Sequence, residues 1–92
     1  MNYKILPYSY RQAKLLGVII KPSVKKDKKI DVYKDNKLVC SVGAKGYKDY
    51  PTYIEENGKQ FADNRRRLYK IRHQTDRTVV GSNGWSADKI LW

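Results

Sequence analysis

The segment FADNRRRLYKIRH, residues 61–73, concentrates side chains that could do chemistry: three consecutive arginines, then Tyr69, Lys70, Arg72 and His73. Guanidinium groups suit phosphate, which they hold through paired hydrogen bonds. Arginine, histidine and tyrosine are also the set a tyrosine-nucleophile strand-transfer enzyme uses. Here, however, Tyr69 and His73 sit four apart on one helix, and the chain is short for such a scaffold. His73 is the only histidine, and no cysteine, serine or paired carboxylate stands beside it to complete a catalytic set. A nuclease needs clustered carboxylates for its metal; Asp27, Asp31 and Asp35 are strung along a loop and a hairpin without a common focus. Cys40 is the only cysteine, so it can form no intrachain disulfide and, with His73, no zinc site without several carboxylates besides. We expect no catalytic residue, no metal and no cofactor, and a reducing compartment.

Charge directs attention to binding. In 92 residues, 20 Lys and Arg face 9 Asp and Glu, a net charge of +11. Such an excess attracts polyanions: nucleic acid, an acidic protein surface or anionic lipid. The loop SVKKDKK and the hairpin that follows supply Lys25, Lys26, Lys28, Lys29, Lys34 and Lys37. On the basic helix, advancing about 100° per residue from Phe61 places Leu68 and Ile71 on one apolar stripe. Arg66, Arg67 and Lys70 then lie opposite, and with the six lysines they form the expected phosphate-binding set. Arg65 and Arg72 fall beside Phe61. An arginine near a core must be paired or stacked, so these two are expected to form structural ion pairs, with Asp76, Asp49 or Glu55 as partners. Among the eight tyrosines, Tyr33, Tyr47 and Tyr50 are candidates for stacking on bases, while buried area with a polar edge is the plainer role.

These residues need elements to position them. Residues 9–17 read as a helix with Ser9 as N-cap, Gln12 completing a capping box and Gly17 as C-cap. VIIKP, 18–22, reads as a strand. Residues 29–43 read as a β-hairpin; a three-residue loop of Lys34, Asp35 and Asn36 would pair Tyr33 with Lys37, Val32 with Leu38 and Ile30 with Cys40. That register gathers Ile30, Val32, Leu38, Cys40 and Val42 on one buried face and leaves Asp31 on the outer one. Thr52 caps a short helix with Glu55 in a second capping box. A further helix runs from about Gln60 to Thr75, a loop covers Asp76 to Ser82, and Ser82 or Asn83 caps a last helix from Gly84 to Trp92. Trp85 and Trp92, seven apart, are expected to lock that helix onto the sheet. The order is α-β-β-β-α-α-α: one α+β domain, a three-stranded antiparallel sheet with a short N-terminal helix and two to three C-terminal helices.

The stretch from KLLGVIIKPSVKK to PTYIEENG, followed by RRRLYKIRHQTD and GSNGWSADKILW, resembles a family of small basic proteins encoded by large nucleocytoplasmic DNA viruses of algae, protists and cold-blooded animals. The resemblance runs from about Ala13 to Trp92. Its most specific parts are GYKDYPTY, the RRxxYxxRH pattern of Arg65, Arg66, Tyr69, Arg72 and His73, and GSxGWxADKxLW. It implies a virion or viral-factory setting and brings no catalytic residue.

The resulting expectation is a non-enzymatic protein that binds nucleic acid, DNA foremost, through phosphates, with the hairpin able to enter a groove as a ribbon carrying Tyr33 and Lys37. The alternative is a structural virion component, a minor capsid or cement protein on an acidic capsid surface. LLGVII is too short to span a bilayer, and MNYKILPYS does not read as a signal peptide, so secretion is not expected.

Overall fold

The tip of the hairpin decides the register of the sheet. Asp35 and Asn36 both have positive φ, 53° and 65°. This is the two-residue turn whose twist matches that of paired strands, built from the two non-glycine residues that best tolerate a left-handed backbone. It brackets β2 (Lys28–Lys34) and β3 (Lys37–Ala44) and pairs Lys34 with Lys37 and Tyr33 with Leu38. The register then shifts at Val32/Tyr33, after which Val32 faces Cys40 and Ile30 faces Val42. The three-residue loop is therefore corrected to a tight turn followed by a bulge. A bulge adds one residue to one strand, and that residue restores the apolar face a simple two-residue hairpin would have scattered. Ile30, Val32, Cys40 and Val42 are buried, whereas Leu38, ahead of the bulge, is 49 % exposed.

The computed structural model describes residues 3–92, in the order α1 (Pro7–Leu16), β1 (Ile19–Pro22), β2, β3, α2 (Tyr50–Asn57), α3 (Lys59–Arg72), a 3-10 turn (Asp76–Thr78) and α4 (Asn83–Leu91). The sheet is antiparallel with strand order β1-β2-β3. This is the expected α+β architecture. α1 and α4 pack on each other and against β1 and β3, and α2 and α3 form a second helical pair. Ile20, Ile30, Val32 and Val42 of the sheet share one core with Ala13, Ile90 and Leu91. Among the described residues no helix is long and apolar enough to cross a membrane.

Helix starts differ from the capping-box expectation at two places. Pro7 occupies the first turn of α1, where its fixed φ suits a helix and its missing N–H costs nothing. The helix thus begins before Ser9, whose buried hydroxyl instead donates to the Ile90 carbonyl at 2.9 Å. α2 begins a turn before Thr52, because Asp49 accepts from the Thr52 N–H at 3.0 Å. Ser82 caps α4 as expected, accepting from the Trp85 N–H at 3.1 Å.

The phase of α3 also differs. Its buried positions are Ala62 and Tyr69, seven apart, while Phe61 and Ile71 are 45 % and 58 % exposed. Counting only aliphatic residues and phenylalanine put the stripe one residue off. Tyrosine and alanine make the seam because Tyr69 lies flat on Trp92, with ring centroids 4.3 Å apart and planes 6° apart. Such a pair contributes roughly 0.5–1.5 kcal/mol beyond its buried area. Trp92 thereby ties the end of α4 to α3, while α4 also packs on β3 as expected, with Leu91 against Gly43.

Candidate nucleic-acid interface

One end of the sheet is held by a buried ion pair. Lys29 reaches Asp49 at 3.0 Å, with only 5 % and 1 % of their side chains exposed. The Tyr3 hydroxyl donates to the same Asp49 oxygen at 2.6 Å, and the lysine ammonium also donates to the Tyr47 carbonyl. Burying two charges is unfavourable unless both are fully partnered; here they are. Burial, then the bond to Asp49 and its charge, push the Tyr3 hydroxyl's pKa well up. Lys29 is consequently removed from the expected phosphate-binding set. Strand alternation points it the same way as Asp31, and the chain that follows β3 folds over it.

Asp31 is corrected likewise from a solvent-facing residue to a buried anchor. It accepts from Ser23 and Ser41 hydroxyls, each at 2.6 Å, and from the Val24 N–H at 3.2 Å. Burial alone would raise its pKa, but these donors more than offset it and the carboxyl is held below its ordinary value. The lysine loop is thus tied down at both ends: the Ser23 hydroxyl caps the Lys25 N–H at 3.0 Å, and the Lys45 N–H donates to the Asp27 carbonyl at 3.0 Å. Lys25 and Lys26 stay exposed.

Next to this anchored end, β3, α3 and α4 enclose a groove of about 530 Å³. Lys28, Tyr47 and Lys48 line it together with Arg65, Tyr69 and Arg72 of α3, His73 at the C-cap of α3, and Leu91 and Trp92. Gly43 is required at its margin. Its φ is +80°, and a Cβ there would lie 2.7 Å from Leu91 Cδ1. Three rings form a column: Trp92 on Tyr69, then Tyr69 on His73 at 4.4 Å and 27°. His73 Nδ1 lies 3.2 Å from Asp76. Burial, followed by the charges of Asp88 and Asp76, pushes the Tyr69 hydroxyl up to about 12.

The expected roles of the α3 cations are largely exchanged. Arg65 stacks over the Tyr53 ring at 5.4 Å, and Arg72 is exposed. Among the described residues neither makes an ion pair, and both line the groove. Arg66 is half-buried over the Tyr50 ring at 4.7 Å, with its Nε buried and without a hydrogen-bond partner. Lys70 pairs with the buried Asp88 at 2.6 Å. Arg66 and Lys70 are thus not on an open solvated face; Arg67 is exposed and donates to Asn64 Oδ1 at 3.0 Å. The one-residue error in helical phase accounts for the exchange.

The stacking candidates separate in the same way. Tyr50 is 4 % exposed, gives its hydroxyl to Asp63 at 2.6 Å and meets the edge of Tyr8, so its ring cannot receive a ligand. Tyr33 is half-buried with Lys21 over its face at 5.3 Å. Tyr47 is 76 % exposed and faces the groove. Lys34 and Lys37 flank the hairpin tip, roughly 20 Å along the strand from Lys28 at about 3.3 Å per residue, and belong to a different surface.

No family model, curated protein or solved structure matches this chain. Among the described residues no three His, Cys, Asp or Glu side chains gather to hold a metal ion. The groove offers phosphate-binding cations and aromatic faces. Its acids are Asp49, neutralised by Lys29, and Asp76, engaged with His73. Sequence reasoning missed Arg65, Arg72 and Trp92 as groove residues; the spacing of Ala62 and Tyr69 was the signal that would have oriented the helix.

Proposed function

We propose that the protein binds nucleic acid through phosphate contacts and catalyses no reaction, in the large-DNA-virus setting that the family resemblance implies. One observation carries the reading: the fold hides acids and leaves bases outside. Asp31, Asp49 and Asp88 are all 2 % exposed or less, while of the lysines only Lys29 is comparably buried. The accessible surface is therefore more basic than the composition. At the groove end Lys25, Lys26, Lys28 and Arg72 have no acidic partner within ion-pair distance among the described residues. A surface of this kind releases counterions from a phosphate backbone and reads little sequence.

The test is a titration of DNA affinity against salt. Four phosphate contacts give a log–log slope of about −4 on duplex DNA, close to −0.9 per contact, or about −3 on a single strand. Changing Lys25, Lys26, Lys28 and Arg72 together to Gln is expected to flatten the slope by about three to four units and to weaken all sequences alike. A folded protein with no measurable binding at low salt would refute the reading and favour an acidic protein partner, such as a capsid inner surface.

A further inference from the structure

We infer that the groove between β3 and α3 takes a single strand, DNA or RNA, and not a duplex; the inference rests on the nucleic-acid reading above and names its substrate class. Duplex DNA is read by protein elements that protrude into its grooves. Single strands lie in concave basic channels, with successive bases on aromatic faces. The groove end of this molecule is concave, basic and aromatic at once.

Two platforms stand ready for bases. The first is Tyr47. Its ring is 76 % exposed, yet its backbone is held, the N–H by the Ala44 carbonyl at 3.3 Å and the carbonyl by the Lys29 ammonium. A ring presented on a fixed backbone loses little freedom on stacking. The second platform is the end of the Trp92–Tyr69–His73 column. The His73 side chain is 39 % exposed, and its Nδ1 is engaged by Asp76, which fixes the ring's orientation. A base laid on the imidazole extends the column by one ring. Arg72 and Lys28 line the same groove and supply phosphate contacts. Nothing comparable exists at the hairpin tip, where Lys34 and Lys37 flank the turn and the nearest ring, Tyr33, is half-buried under Lys21.

The experiment measures fluorescence anisotropy of labelled oligo(dT), oligo(U) and a duplex of equal length with the whole protein. Both single strands are expected to bind more tightly than the duplex. Tyr47→Ala is expected to weaken single-strand binding about 5- to 100-fold, the effect of losing one stacked base, while Tyr47→Phe keeps it. Because Tyr47 is exposed, its loss does not threaten the fold; His73→Ala should act in the same direction. A preference between oligo(dT) and oligo(U) identifies which kind of strand the groove favours. Equal or tighter duplex binding that Tyr47→Ala leaves unchanged would overturn the inference, keep the phosphate-binding reading and move the contact to the hairpin. No binding to any of the three would overturn both.

Discussion

The two faces of α3 carry the same kinds of side chain and use them in opposite ways. On one, Arg66 lies on Tyr50 and Lys70 pairs with the buried Asp88 at 2.6 Å. On the other, Arg65, Arg72 and His73 face a groove without acids to saturate them, apart from Asp76. Adjacent residues of β2 repeat the contrast: Lys29 is locked inside and Lys28 lines the groove. Positive charge is thus divided between fastening the fold and meeting a ligand, and a shift of one residue along the chain decides which.

The largest effect should come from the inward lysine. Lys29→Met leaves Asp49 buried without its counter-ion and is expected to cost about 3–5 kcal/mol of stability in urea unfolding. A loss below about 1 kcal/mol would mean that the buried pair does not hold this end of the sheet.

The ring column comes next. Native Tyr69 holds its proton more tightly than an unfolded tyrosine, its pKa moving from 10.0 up to about 12. Between these values the unfolded chain binds fewer protons than the native one, so stability falls as pH rises through that window, by roughly 1–2 kcal/mol once solvent screening of the partly exposed hydroxyl is counted. The loss begins at the unfolded value and is complete at the folded one. Tyr69→Phe is expected to lower the alkaline slope by this one group's share. The rest remains, because burial and then the bond to Asp49 raise Tyr3 further still, burial also raises Tyr8, and a bond to Asp63 followed by burial raises Tyr50. Identical alkaline slopes for the two proteins would show that Tyr69 is not buried in the column.

The last two effects sharpen the contrast most directly. Lys70→Ala is expected to cost about 1–3 kcal/mol by uncovering Asp88, with Lys89, 3.9 Å away, replacing it in part. Arg72→Gln should change stability by no more than about 0.5 kcal/mol yet lower the salt slope of nucleic-acid binding by about one contact. The reverse pattern would exchange the two faces.

The element order and four of the five hairpin positions expected to be buried, Ile30, Val32, Cys40 and Val42 but not Leu38, were legible in the sequence, because strand alternation, Gly17 and Ser82 act locally. The turn was not. A bulge at Val39 lets two registers satisfy nearly the same hydrophobic pattern, and only the left-handed conformations of Asp35 and Asn36 choose between them. The face of α3 was misread because tyrosine and alanine served as its seam and the exposed Phe61 and Ile71 did not. Lys29 could not be distinguished from its neighbours, since its partner Asp49 lies 20 residues away.

The seam between α1 and α4 has a consequence for how the protein is made. The Ser9 hydroxyl meets the Ile90 carbonyl across 81 residues of chain, and Gln12 meets the Lys89 carbonyl across 77. At ~5–20 residues per second, a ribosome leaves Ser9 waiting roughly 4–16 s for its acceptor. The hairpin can pair in microseconds, so the nascent chain carries a formed sheet whose apolar face still lacks Ile90 and Leu91. How long that face is open to neighbouring chains is set by the pace of translation, not by the stability of the completed domain.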